Sequence, residues 1–64
     1  QEYKAENAAP WGANEAYRLY DPEYGTRNDY LLCYDGLLVE IHFDWEPTEE
    51  QMAVVGEKLS GNPI

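Results

Sequence analysis

Residues 30 to 45 decide the fold, and they read YLLCYDGLLVEIHFDW. Two apolar runs flank the dipeptide Asp35-Gly36 in this stretch. A two-residue type I′ turn needs positive φ at both central positions, which glycine adopts freely and aspartate tolerates. The stretch therefore predicts a β-hairpin in which Tyr34 faces Leu37, Leu32 faces Val39 and the remaining pairs follow in order.

Alternation of side chains gives this hairpin two unlike faces. One face is apolar along its whole length and has to be covered by another element. It consists of Tyr30, Leu32, Tyr34, Leu37, Val39, Ile41, Phe43 and Trp45. The opposite face is apolar near the turn and polar towards the open end, so a slip of one residue would bury charge.

A C-terminal helix over residues 49–59 is the element expected to cover the apolar face. Its start has the capping-box sequence Thr48-Glu49-Glu50-Gln51, and Met52, Val55 and Leu59 form an apolar stripe. Gly56 is the exception, since glycine in a helix interior costs about 1 kcal/mol relative to alanine. Its presence indicates a close approach of the helix to a neighbour, for which Trp45 and Tyr34 are the candidates.

The chain before the hairpin has weaker signals. Residues 16–20 favour a strand, because a hairpin needs a third strand for a stable sheet, although Asn14 could cap a helix over residues 14–20. Residues 1–12 show no strong periodicity and are interpreted as an irregular arm. The prediction is a single α+β domain over residues 1–64, a three-stranded antiparallel meander (about 16–20, 29–35 and 37–45) with one helix on one face. The alternative is a short N-terminal helix, a two-stranded hairpin and the same C-terminal helix.

Charge and composition exclude several classes of function. Thirteen acidic residues stand against four basic ones in 64 residues, a formal net charge of −9. This balance argues against direct binding to nucleic acid and to anionic membranes, both of which require clustered Lys and Arg. No apolar run approaches the length of a membrane span. Cys33 is the single cysteine, and a free thiol favours a reducing compartment, so a cytoplasmic location is expected.

Glu40, His42 and Asp44 are the candidate chemical site. They alternate along one predicted strand and share its outer side, and a histidine between carboxylates is a metal-ligating or acid–base combination. Such a row is also what the solvated side of any one-sided antiparallel sheet shows, and this second interpretation is favoured. Cys33 has no neighbouring base or cation that would activate it. The chain is therefore expected to be neither an enzyme nor a cofactor-binding protein.

Exposed apolar side chains provide the other candidate surface. Leu31, Cys33 and Leu38 share the outer side of the hairpin, and Tyr17 or Tyr20 could extend the patch. Trp11 is either an anchor that packs on the domain or an exposed residue that grips a partner. The N-terminal arm, a second copy in a homodimer, or a partner protein could cover the patch.

These observations predict a small acidic protein–protein interaction module. It could be an inhibitor or nucleic-acid mimic that binds a basic partner. The alternatives are a metal- or ligand-binding domain using Glu40, His42 and Asp44, and an accessory fragment of a larger protein with no activity of its own.

Overall fold

The polypeptide forms a four-stranded antiparallel sheet with one helix on one side. A computed structural model describes residues 1–60. The elements are β1 Glu2–Glu6, a 3₁₀ turn Ala9–Trp11, β2 Glu15–Asp21, β3 Gly25–Tyr34, β4 Leu37–His42 and α1 Glu49–Ser60. The strands lie in the sheet in chain order, so each connection is a simple reversal. The α+β class and the C-terminal helix are confirmed, but the sheet has four strands where three were predicted.

The central hairpin has the predicted register. Tyr34 is opposite Leu37, Leu32 is opposite Val39 and Tyr30 is opposite Ile41. The turn, however, is not of type I′, since only Gly36 has a positive φ, of 71°, and Asp35 does not. Burial of the face that contains Tyr30 and Leu32 fixes the pairing whichever turn type joins the strands.

The additional strand lies in the stretch that was expected to be irregular. In β1 each of the five residues is exposed, and Lys4 pairs with Arg18 while Tyr3 pairs with Leu19. An edge strand of this kind is stabilised by backbone hydrogen bonds to β2 and by cross-strand side-chain pairs. It has no buried row, and for that reason its hydrophobic pattern is weak.

Strand bounds also differ from the prediction. The strand at residues 16–20 is confirmed in preference to a helix, as part of β2. β3 begins at Gly25 instead of residue 29, because the Asp21 carboxylate accepts backbone hydrogen bonds from Glu23 at 2.8 Å and Tyr24 at 3.3 Å and so tightens the reversal. β4 ends at His42 instead of residue 45.

The core lies between the sheet and the helix. Its buried residues are Trp11, Ala16, Tyr30, Leu32 and Tyr34. Met52, Val55 and Leu59 of α1 pack against it as predicted. The ring of Trp11 lies 4.9 Å from that of Tyr30, centroid to centroid, so the 3₁₀ turn supplies the largest side chain of the core.

The helix begins with the predicted capping box. The Gln51 amide donates to the Thr48 hydroxyl at 3.2 Å, and the Thr48 amide donates to the Gln51 side-chain oxygen at 2.9 Å. The close approach expected at Gly56 is to the backbone of Trp11, and not to Trp45 or Tyr34. A Cβ added there would overlap the carbonyl oxygen of Trp11 and lie 2.8 Å from its carbonyl carbon.

Candidate functional site

The side of the sheet that faces away from the helix carries a continuous apolar surface. We call it the outer face. Cross-strand pairing places its members on one side: Tyr3 with Leu19, Ala5 with Tyr17, Tyr17 with Leu31, and Cys33 with Leu38. Its seven apolar residues are Tyr3, Ala5, Tyr17, Leu19, Leu31, Cys33 and Leu38. All four strands contribute to it.

Nothing in residues 1–60 covers the outer face. The helix stripe and Trp11 belong to the core on the opposite side, and Phe43, which follows β4, packs on Trp11 and Tyr30 there. Leu38 is consequently 65% exposed and Tyr3 37% exposed. An antiparallel sheet with one solvated side usually places polar residues on that side, so an apolar row there is the unusual feature of this fold.

Acidic groups surround this apolar surface. Glu15 pairs with Cys33 at one end and accepts a hydrogen bond from the Tyr17 hydroxyl. Glu40 pairs with Leu31. Desolvation raises the pKa of the Tyr3 phenol, and the nearby carboxylates of Glu40 and Asp29 raise it further. The Tyr3 phenol therefore lies near the Glu40 carboxylate of β4.

The predicted interface residues divide into two groups. Tyr17, Leu31, Cys33 and Leu38 lie together on the outer face. Trp11 does not, because it is 1% exposed in the core.

Tyr20 lies on the helix side of the sheet, where the Lys4 ammonium sits 4.0 Å from the centre of its ring. The N-terminal segment was one candidate to cover the outer face. Instead it adds Tyr3 and Ala5 to that face as part of β1 and does not fold over it.

Sequence reasoning missed Tyr3, Ala5 and Leu19. The segment Glu-Tyr-Lys-Ala-Glu does alternate charged and less polar residues with the period of a strand. Five residues with two charge signs are too short a pattern to separate from an irregular arm. Leu19 follows from the β2 assignment, since it shares a side with Tyr17 two positions earlier.

His42 lies between two carboxylates at the open end of β4. Its Nδ1 is 2.7 Å from Asp29 Oδ1, and its Nε2 is 3.3 Å from Asp44 Oδ1. The hydrogen bond that the His42 ring donates to Asp29 is the largest cause that raises the pKa of His42 above its ordinary 6.5, and Asp44 adds to it, while desolvation opposes both. Since both ring nitrogens face acceptors, the arrangement favours the doubly protonated imidazolium.

This geometry uses two of the three residues proposed as a chemical site. His42 and Asp44 are in contact, but the partner of His42 on β3 is Asp29, and Glu40 is paired with Leu31. Within residues 1–60 no group of three or more His, Cys, Asp and Glu side chains is arranged to hold a metal ion.

Arg18 is a second basic residue with several fixed partners. Its Nε donates to the Arg27 carbonyl at 2.6 Å and its Nη2 to the Asn28 side chain at 2.7 Å. Its Nη1 lies 3.1 Å from Glu46, and its guanidinium is 5.1 Å from the centre of the Tyr30 ring. These contacts hold the irregular part of β3 where the register between β2 and β3 shifts, on the helix side of the sheet.

Comparison with known proteins gives no relative from which a role could be carried over. The sequence matches no protein-family model, no curated protein and no solved structure. In residues 1–60 none of the helical structure has the length and apolar character needed to cross a bilayer. The residues and geometry described above are therefore the basis for any functional assignment.

Proposed function

We propose that this chain is a protein–protein interaction module that binds a partner protein through its outer face, and that it has no catalytic activity of its own. The observation that carries this proposal is a row of seven apolar side chains across all four strands, three of them exposed and four half-buried, with no element of residues 1–60 packed over them. Contiguous exposed apolar surface on a small soluble domain is the usual sign of an interaction site. Tyr3 and Tyr17 add aromatic groups of the type that anchors interfaces.

The charges around the outer face specify the chemistry of the partner. Glu15 and Glu40 flank the apolar centre. Lys4 and Arg18 are opposite each other on neighbouring strands, and their side chains lie on the helix side of the sheet. A complementary surface has an apolar centre and Lys or Arg at its rim, because opposite charge steers association and like charge opposes it. Two copies of this chain, each of net charge −9, would bring acid against acid, so a basic partner protein is favoured over a second copy.

A basic partner surface often serves to bind nucleic acid. By occupying such a surface, this acidic module would act as an inhibitor or nucleic-acid mimic. Competition between the module and nucleic acid for the identified partner would support this more specific role, and simultaneous binding of both would contradict it.

Site-specific cross-linking tests the surface directly. A photo-reactive phenylalanine analogue is placed at position 38 on the outer face, and separately at position 54 on the helix as a matched control. Leu38 and Val54 are both exposed, by 65% and 51%, so neither substitution disturbs the core. Cross-links to another protein from position 38 that are absent from position 54, and that are lost when Leu31→Lys is added, support the proposal. Equal products from both positions contradict it.

The solution mass separates a partner protein from a second copy. We expect the mass of a monomer, 7.4 kDa, by light scattering over a range of protein concentrations at low and high salt. A dimer that Leu38→Lys dissociates and Val54→Lys leaves intact would show that the outer face is covered by a second copy, and would overturn the assignment to a partner protein.

A further inference from the structure

A second surface lies at the edge of the sheet, separate from the centre of the outer face. β4 is the last strand of the sheet, and the structure places no strand beside it in residues 1–60. Between this edge and the helix runs a groove with a volume of about 240 Å³. It is lined by Val39, Glu40, Ile41, Val55, Lys58 and Leu59.

The backbone of β4 has a defined set of open hydrogen-bonding groups. The Phe43 amide donates to the Asn28 carbonyl at 2.9 Å, and residues of an antiparallel strand point their backbone groups alternately to either side. Residues 37, 39 and 41 therefore bond to β3. The N–H and C=O groups of Leu38, Glu40 and His42 point away from the sheet and can receive another strand.

Side chains along this edge offer an incoming strand an apolar contact on one side of the sheet and a carboxylate on the other. An incoming residue opposite Val39 or Ile41 lies on the helix side and enters the apolar groove beside Val55 and Leu59, because paired residues share a side of the sheet. An incoming residue opposite Glu40 lies on the other side, next to its carboxylate. The edge therefore suits an extended segment in which an apolar residue, a basic residue and another apolar residue follow one another.

We propose that β4 and the adjacent groove bind an extended peptide segment of a partner protein as a fifth, antiparallel strand. Addition of a strand to an open edge is an established mode of peptide recognition, in which the backbone bonds give affinity and the pockets for alternate side chains give specificity. The antiparallel direction continues the pattern of the other four strands. A peptide is favoured over the β4 strand of a second copy because the net charge of −9 on each chain opposes self-pairing.

The test uses the isotope-labelled full chain and a short synthetic peptide in which valine and lysine alternate. Two further versions of the peptide carry backbone N-methyl groups, one on the lysines and one on the valines. In the proposed register the lysine N–H groups bond to Glu40 and its neighbours, whereas the valine N–H groups point to solvent. Methylation of the lysines removes these bonds and should weaken binding roughly tenfold, and methylation of the valines should leave binding unchanged.

Chemical shifts locate the bound peptide. We expect the largest changes at the amides of Leu38, Glu40 and His42 and at the methyl groups of Val55 and Leu59. Glu40→Gln should weaken the lysine peptide about threefold, which is the usual size of a partly exposed charge effect, and should leave a peptide of alternating valine and serine unaffected.

Other outcomes would overturn the proposal. They are equal binding of both N-methylated peptides, weakening by methylated valines alone, shifts confined to Tyr17, Leu31 and Cys33 on the outer face, and no binding of the unmodified peptide. Cross-links from position 38 that persist after Leu31→Lys is added would contradict the proposed function, because Leu31 lies on the outer face and not on β4. They would leave the peptide-induced shifts unchanged, so the two proposals fail separately.

Discussion

The Tyr34 hydroxyl donates a hydrogen bond of 2.8 Å to the backbone carbonyl of Trp11. This bond joins the end of β3 to the 3₁₀ turn across 23 residues of sequence. The same carbonyl is the group against which the helix packs at Gly56. One carbonyl oxygen therefore connects the sheet, the turn and the helix, and Tyr34 is the side chain that satisfies it.

Replacement of Tyr34 by phenylalanine should destabilise the protein by about 1–2 kcal/mol, because it removes the donor and leaves a buried carbonyl without this partner. The measurement is urea unfolding followed by tryptophan fluorescence. Tyr24→Phe is the matched control, since Tyr24 is 70% exposed and should change the free energy of unfolding by less than about 0.5 kcal/mol. Equal effects of the two substitutions would show that the Tyr34 bond adds nothing to stability.

Gly56→Ala should be more damaging, although alanine is the better helix former by about 1 kcal/mol. A methyl group at this position overlaps backbone atoms of Trp11, and backbone cannot rotate aside as a side chain can. We expect a net loss of about 2–4 kcal/mol, as for other strongly overpacked sites.

The control for the helix itself is Ala53→Gly, on an exposed position of the same helix. It reverses the exchange and should cost about 1 kcal/mol through helix propensity alone. If Gly56→Ala stabilised the protein, the close contact between the helix and the 3₁₀ turn would be wrong.

Arg18→Lys should cost about 1–2 kcal/mol in the free energy of unfolding, because a lysine ammonium cannot bond to the Arg27 carbonyl and the Asn28 side chain together as the guanidinium does. Glu46→Gln is the comparison. It removes only the ion pair with a carboxylate that is 73% exposed, and such pairs contribute about 0–1 kcal/mol. A loss at Glu46→Gln as large as that at Arg18→Lys would mean that the ion pair, and not the hydrogen bonds to β3, is the important contact.

The hairpin and the helix could be predicted because their signals are local. The alternation on either side of Asp35-Gly36 is enough to give the register from Tyr30 to Ile41, and the structure has that register. The capping box at Thr48 gives the start of α1 within one residue. In both cases the residues that determine the element lie within the element.

The first strand and the side occupied by Trp11 could not be predicted in this way. β1 forms because β2 offers it an open edge, and nothing within Glu2–Glu6 buries a side chain. Trp11 could have packed on either side of the sheet, and the direction is fixed by contacts with Tyr30, Phe43 and the helix that are distant in sequence. The outer face is uncovered because Trp11 packs on the opposite side of the sheet. Its residues Tyr3 and Ala5 were missed because β1 itself was not predicted.

One contact of the candidate chemical site did follow from the sequence. The register that pairs Tyr34 with Leu37 also pairs Asp29 with His42, as the structure shows. The hypothesis considered only neighbours on the same strand, Glu40 and Asp44, and so missed the cross-strand carboxylate that lies closer. Cross-strand pairs are nearer than alternate residues of one strand.

His42 should make the stability of the protein depend on pH in the range above the ordinary imidazole pKa of 6.5. Its folded-state pKa is raised above the ordinary 6.5, with Asp29 as the largest cause. The stabilisation is therefore fully present below 6.5, where the imidazole is protonated in the folded and unfolded states alike, and it is lost as the pH rises through the folded pKa. An NMR titration of the imidazole ring gives that pKa, and urea unfolding at about pH 6 and about pH 8.5 gives the change in stability.

Asp29→Asn should return the pKa of His42 towards 6.5 and remove most of the pH dependence in this window. Asp44→Asn should have the smaller effect, because the Asp44 oxygen lies 3.3 Å from the ring and the Asp29 oxygen lies 2.7 Å from it. A His42 pKa at or below 6.5 in the unsubstituted protein would mean that the two carboxylates do not hold the imidazolium in solution.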